Sequence, residues 1–138
     1  MFVVDASIAG AWLLPDETNA LAEYAMVRMA DEDAVAPDLL QHEVRNILLI
    51  AERRGRISPD SLHSALARLR AVPLRLVARG DDVEIVRLAR QHRLTAYDAA
   101  YLALALLEGL PLATLDRRLA EAALAEGIEV MQAPISGD

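Results

Sequence analysis

The chain has 138 residues, 54% of hydrophobic type and 25% charged, which is enough for one domain with its own interior and too little for two. With this balance a disordered tail or a fibrous repeat is excluded. There is no cysteine and no lysine, and 14 arginines stand against 21 acids for a net charge of −7. Disulfide scaffolds, cysteine-ligated zinc, Fe–S clusters, thiol nucleophiles, P-loop lysines and Schiff-base chemistry are thereby excluded.

Phe2-Val3-Val4 is a short apolar run ending at Asp5, and a helical pattern follows from Ala6 to Leu14 until Pro15 stops it. Residues 17–30 read as a second helix with Leu21, Tyr24, Ala25 and Val27 or Met29 near helical spacing, and Ala34-Val35-Ala36 as a strand before Pro37. Asp38, with Gln41 three residues on, is expected to cap a third helix whose apolar stripe is Leu40, Val44, Ile47, Leu48 and Ala51. Ser58-Pro59 is an N-cap followed by proline at the first helical position, opening a helix to about Leu69. Leu74-Arg75-Leu76-Val77 reads as a strand, Asp81 or Asp82 starts a helix to Arg90, and Thr95 starts an apolar helix to Leu107 that Gly109 and Pro111 break. Leu112-Ala113-Thr114 is expected as a strand, residues 116–126 as a helix, and Ile128-Glu129-Val130-Met131 as a last strand. Short strands alternating with helices predict a three-layer α/β/α domain over residues 1–138, with a parallel sheet of about five strands. Ligands in such sheets bind at the carboxyl ends of the strands.

Charge is unevenly placed. Residues 45–93 hold 11 Arg against 5 acids, whereas residues 1–44 hold one Arg against 9 acids and residues 94–138 two against 7. Most of the basic residues read as solvated helix faces, so charge alone names no partner. The start of the chain lacks a basic segment, so no signal peptide is expected. The stretch from Leu94 to Leu107 is too short for a membrane span, so a cytoplasmic protein without membrane contact is expected.

Four acids stand out, each with an ordinary explanation beside it. Asp116 precedes a helix and suits an N-cap. Asp98 fits a capping box with Thr95, yet it is the one charged residue between Arg93 and Glu108, in a helix otherwise made of Ala, Leu and Tyr. Glu43 shares a helix face with Leu40, Ile47 and Ile50, where a buried carboxylate wants a partner or a cation, and Asn46 is within reach to bond it. Asp5 ends a strand and could bond the amides of Ala6, Ser7 or Ile8. Four acids in one crevice would repel one another unless protonated or neutralised by a hard cation such as Mg²⁺ or Mn²⁺.

The segments Met1-Phe2-Val3-Val4-Asp5-Ala6-Ser7, Pro37-Asp38-Leu39-Leu40-Gln41-His42-Glu43-Val44-Arg45-Asn46, Leu94-Thr95-Ala96-Tyr97-Asp98-Ala99-Ala100-Tyr101-Leu102-Ala103-Leu104-Ala105 and Leu112-Ala113-Thr114-Leu115-Asp116, in this order and spacing, resemble the PIN-domain ribonucleases, and among them the VapC toxins. The resemblance runs across nearly the whole chain. It implies a PIN-like fold and an endoribonuclease in which Asp5, Glu43, Asp98 and Asp116 hold one or two Mg²⁺ or Mn²⁺ ions, with a metal-activated water as nucleophile. Asp5 and Asp98 are the expected direct ligands, Glu43 and Asp116 complete the site or act through water, and Ser7, Asn46 and Thr114 are expected to hold the ligands in place. It further implies an RNA substrate, a VapB-type antitoxin covering the site, a toxin homodimer, and operator DNA bound only through the antitoxin.

Rival readings fare worse. His42-Glu43-Val44-Arg45-Asn46 begins like a zinc-protease helix, but Asn46 stands where the second histidine is needed. Haloacid-dehalogenase-like phosphatases and receiver domains also place Asp at strand ends, but both need a lysine. His63 and His92 are expected at the surface, Tyr97 and Tyr101 in core or rim packing, and Trp12 and Met26 in the core. A non-enzymatic alternative is a PIN-like protein that keeps its acids but acts as the antitoxin-bound partner in DNA regulation.

Overall fold

Phe2-Val3-Val4 carries no polar side chain because both its faces are covered. This strand, β1 (Phe2–Val4), is fully buried and pairs in parallel with β2 (Ala34–Pro37) on one side and β4 (Leu112–Ala113) on the other. β3 (Leu74–Val77) pairs with the far side of β2, giving the order β3-β2-β1-β4. The computed structural model describes residues 1–78 and 80–135, and among these the sheet has four strands. The chain moves outward from β1 to β3 and then returns to the other side of β1. In open parallel sheets such a reversal marks the crevice where ligands bind, which here falls beyond the carboxyl ends of β1 and β4.

Alternate side chains of the strands face opposite layers. Phe2, Val4, Ala34 and Ala113 pack with Ile8 and Ala11 of α1 (Ala6–Leu13) and Ala22 and Ala25 of α2 (Ala20–Arg28). Val3, Val35 and Leu112 belong to the larger core on the other face. That core is built from α3 (Leu39–Arg53), α4 (Pro59–Ala71), α5 (Asp82–His92), α6 (Ala96–Glu108) and α7 (Arg117–Ala125), with Ala9 and Leu13 of α1 reaching round to join it. The three-layer α/β/α expectation therefore holds. α6 runs against the sheet with Ala99 to Ala105 all buried, and a fully buried leucine such as Leu102 contributes about 2 kcal/mol.

Local chemistry sets the helix ends that matter for the crevice. Ser58 accepts the Ser61 amide before Pro59, and Thr95 accepts the Asp98 amide to start α6. Gly109 closes α6 at φ +65°, in the left-handed region where a side chain would be strained. Among the described residues no helix is long and apolar enough to cross a membrane.

Several expectations are corrected. The last strand is reduced to one bridge between Val130 and Leu112, because β4 is only two residues long and offers no ladder to extend. The second helix begins at Ala20 rather than at residue 17, since the Asn19 side chain accepts the Ala22 amide and fixes the start there. Its buried positions are Ala22 and Ala25, while Met26 is exposed and Val27 more so. Trp12 is only partly buried and donates its indole N–H to the Ala22 carbonyl at 2.7 Å. Asp38 has helical backbone angles and makes no side-chain cap, so its Gln41 partner bonds only to the Asp38 carbonyl.

Candidate active site

Asp5 is the most enclosed polar group of the crevice, 3% exposed at the end of the inner strand. Its Oδ1 caps α1 by accepting the Ile8 amide at 3.1 Å and also accepts the Ser7 hydroxyl at 2.6 Å. Its Oδ2 accepts the Thr114 hydroxyl. Each hydroxyl in turn accepts a backbone amide of the β4–α7 turn: Leu115 N–H to Ser7 Oγ at 2.8 Å, and Asp116 N–H to Thr114 Oγ1 at 2.9 Å. Two relays thus fasten the Asp116 turn to Asp5 across more than a hundred residues of sequence. Burial pushes the Asp5 carboxyl up to about 6 even though Ser7, Thr114 and the Ile8 amide all favour its charged form, and the Asp98 charge pushes the same way.

Glu43 is half-buried on the second turn of α3. Its Oε1 accepts the hydroxyl of Tyr101, which reaches across from α6 at 2.6 Å. Burial raises the Glu43 pKa, the Tyr101 bond opposes that rise, and the Asp98 charge adds to it. Asn46 stands exposed and makes no hydrogen bond to Glu43 among the described residues, so the tyrosine takes the place expected of it. Tyr101 is 1% exposed, and its own pKa is raised by burial and by the neighbouring carboxylate. Tyr97, by contrast, is 62% exposed rather than packed in a core.

Asp98 lies in the first turn of α6, partly buried, and its pKa is raised first by burial and then by the charge of Asp116. It is the hub of the group, since its charge is felt at Asp5 and at Glu43 while it feels that of Asp116. Asp116 caps α7, its Oδ1 accepting the amides of Arg118 at 2.9 Å and Leu119 at 3.2 Å.

None of these four acids has an ion-pair partner among the described residues. Among Asp5, Glu43 and Asp98, a cation opposes the rise in pKa at Asp98 alone, where Arg118 acts. A set of carboxylate oxygens without an ion-pair partner, three of whose carboxyls (Asp5, Glu43 and Asp98) have raised pKa values, matches in chemistry what a hard divalent cation takes. As the side chains are held, however, no three His, Asp or Glu residues among the described ones are gathered closely enough to hold a metal ion. The oxygens are turned instead toward Ser7, Thr114, Tyr101 and the α7 amides.

Two residues of the site escaped the sequence reading. Tyr101 is three residues after Asp98, hence on the same helix face, and a buried tyrosine hydroxyl needs a polar partner. That signal was available. Arg118 gave only its place two residues after Asp116. Outside the crevice, His63 is exposed as expected, but His92 is partly buried and its Nε2 lies 2.6 Å from Glu126 Oε2, tying the end of α5 to the end of α7.

Comparison with known proteins places these features in context. The family model described as PIN domain matches residues 2–124. A protein named Ribonuclease VapC3, from Pyrobaculum aerophilum, is 37% identical over 127 residues, which span 86% of this chain and 92% of that protein. The crystal structure of PAE2754 from Pyrobaculum aerophilum has a TM-score of 0.70 at 27% identity, covering 88% of this chain and 83% of that one. That of FitAcB from Neisseria gonorrhoeae has a TM-score of 0.68 at 16% identity, covering 96% and 98%, a likeness of fold alone.

Proposed function

The chain belongs to the PIN domain family, and from that premise we propose that it is a divalent-metal-dependent endoribonuclease, the toxin of a VapBC-type toxin–antitoxin pair acting in the cytoplasm. The observation that supports this most directly is the buried Asp5 carboxylate at the end of the inner strand, in a group with Glu43, Asp98 and Asp116 that is coupled by charge and has no ion-pair partner among the described residues. Asp5, Glu43, Asp98 and Asp116 are the residues that would hold Mg²⁺ or Mn²⁺. Bound there, such an ion supplies a lowered pKa for a water nucleophile and neutralisation of charge on the phosphate. The protein's own part is orientation. Ser7 and Thr114 fix the Asp5 carboxyl and, through it, the turn bearing Asp116, while Tyr101 fixes Glu43. Asn46, exposed on α3, is left with no positioning role in this reading.

The partners follow from the family. A VapB-type antitoxin would cover the crevice with a segment carrying Arg or Lys, which suits an acidic toxin. The toxin would act as a homodimer and reach operator DNA only through the antitoxin.

The test is cleavage of purified RNA by the wild-type protein with Mg²⁺, with Mn²⁺ and with EDTA, alongside Asp98→Asn, followed by sequencing of the 5′ ends of the fragments. Cleavage that needs the metal and is lost in a folded Asp98→Asn protein is expected. Metal-dependent cleavage undiminished in that variant removes Asp98 from the site. No cleavage by wild type with either ion favours the DNA-regulatory alternative.

A further inference from the structure

Among the described residues α7 is the one helix that carries arginine in its first turn. The first turns of α2, α4, α5 and α6 hold acids, and the last turns of α2, α3, α4 and α5 each hold a basic residue. α7 has no acid in its first turn and opens instead with Arg117 and Arg118, which are also the only two arginines in residues 94–138. A cation at the positive end of a helix is unfavourable. A local rule broken next to a site points to a use for the residue there.

Arg118 is also placed and tethered. Its Nη2 donates to the Arg93 carbonyl at 2.7 Å, on the corner between α5 and α6 that leads to Asp98, and the guanidinium is close enough for its charge to act on Asp98. Arg28, Arg56 and Arg87 are each paired with an acid, whereas Arg118 forms no ion pair among the described residues. One donor is used on a neutral carbonyl, and the rest of the planar fork is left for an anion. A crevice of four acids on a chain of net charge −7 repels a polyanion, so a polyanionic strand entering it needs a fixed cation at the edge.

We infer that Arg118 is a substrate-positioning residue, whose guanidinium, hung on the Arg93 carbonyl beside Asp98, takes a backbone phosphate of the RNA strand lying in the crevice. This rests on the ribonuclease reading. It assigns to one side chain the task of holding the polyanion against the acids that act on it. The contact is to phosphate, so it is indifferent to base sequence.

The experiment compares wild type, Arg118→Ala, Arg118→Lys and, as a control for charge at the same helix end, Arg117→Ala. A 30-nucleotide single-stranded RNA of mixed sequence is the probe. Initial rates with Mn²⁺ are measured between 50 and 200 mM KCl, and fluorescence anisotropy with Ca²⁺ gives binding of the same RNA. Arg118→Ala is expected to raise KM by about tenfold with kcat within about twofold. Its log-affinity against log-salt slope should be shallower by about 0.7, the release expected for one phosphate contact on a single strand. Arg118→Lys should keep the slope and recover part of the affinity, and Arg117→Ala should change both less than Arg118→Ala does. Equal KM and slope in wild type and Arg118→Ala overturns the assignment, as does an Arg117→Ala effect as large as that of Arg118→Ala. If wild type does not cleave the RNA, the ribonuclease reading has failed on its own account, and the anisotropy slopes still decide whether Arg118 contacts phosphate. A thermal melt of Arg118→Ala that matches wild type separates loss of the phosphate contact from loss of the Arg93 tether.

Discussion

Asparagine in place of Asp5 should stabilise the metal-free protein at neutral pH and leave it nearly unchanged in acid. The carboxyl is 3% exposed and its pKa is pushed from 3.8 to about 6, which corresponds to about 3 kcal/mol between its two protonation states. The folded protein holds this proton more tightly than the unfolded chain does. The stabilisation it brings is therefore fully present below about pH 4 and is lost as pH rises through about 6. Asparagine has no such titration. Its amide oxygen can still accept from Ser7 and Ile8, and its NH₂ can donate to Thr114 Oγ1. Glu43 and Asp98 titrate in the same direction, but both proteins carry them, so they cancel in the difference apart from the repulsion Asp98 exerts on Asp5. Urea unfolding of wild type and Asp5→Asn in EDTA, at several pH values from 4 to 7.5, should show the variant gaining about 3 kcal/mol across that range, or about 10 °C in Tm. A difference that stays constant within about 1 kcal/mol would refute the claim that burial holds the Asp5 proton.

Thr114→Val removes the hydroxyl that joins Asp5 Oδ2 to the Asp116 amide, both buried or partly so, and should cost about 1–3 kcal/mol in urea unfolding. A loss below about 0.5 kcal/mol would mean that the relay does not hold the turn. Tyr101→Phe keeps the ring in the core and deletes only the donor to Glu43. Calorimetric titration with Mn²⁺ should show weaker binding than wild type by a few-fold, with a melt lowered by about 1 kcal/mol; unchanged Mn²⁺ affinity would separate Glu43 from the metal.

Much of the fold was legible because its punctuation is local. Ser58-Pro59 fixes the start of α4 by side-chain capping and a preset backbone angle, and Thr95 and Gly109 bracket α6 in the same way. Where tertiary geometry decides, the reading slipped. Asp38 has a capping residue's identity, but its backbone is already helical at the end of β2, so its side chain has no amide to reach. Residues 128–131 have a strand's composition, yet a two-residue neighbour gives them one bridge. Met26 and Val27 fall on the outer side of α2 because the small Ala22 and Ala25 are what fit against Phe2 and Val4. At the site, each acid could be picked out by its surroundings, but Asn46 and Tyr101 compete for Glu43 from different helices, and helix spacing within α3 cannot rank a partner that α6 supplies.

The helix-cap and metal-ligand explanations of these acids, which look like rivals in the sequence, are compatible in the fold. Asp116 gives one oxygen, Oδ1, to two amides of α7, and its Oδ2 takes no hydrogen bond among the described residues. Asp5 gives Oδ1 to the α1 amide and the Ser7 hydroxyl, leaving Oδ2 bonded to a single hydroxyl. A carboxylate oxygen can accept about two hydrogen bonds, so in both residues capping fills one oxygen and leaves capacity on the other. The cap therefore does two things. It stabilises the helix start, and it fixes the carboxylate plane at the carboxyl end of a strand, removing rotational freedom that an incoming cation would otherwise have to quench. Asp5 and Asp116 follow adjacent strands, β1 and β4, on either side of the point where the sheet reverses its order. That arrangement lets backbone amides orient Asp5 and Asp116, with the Ser7 and Thr114 hydroxyls adding to the hold on Asp5 and the Tyr101 hydroxyl holding Glu43.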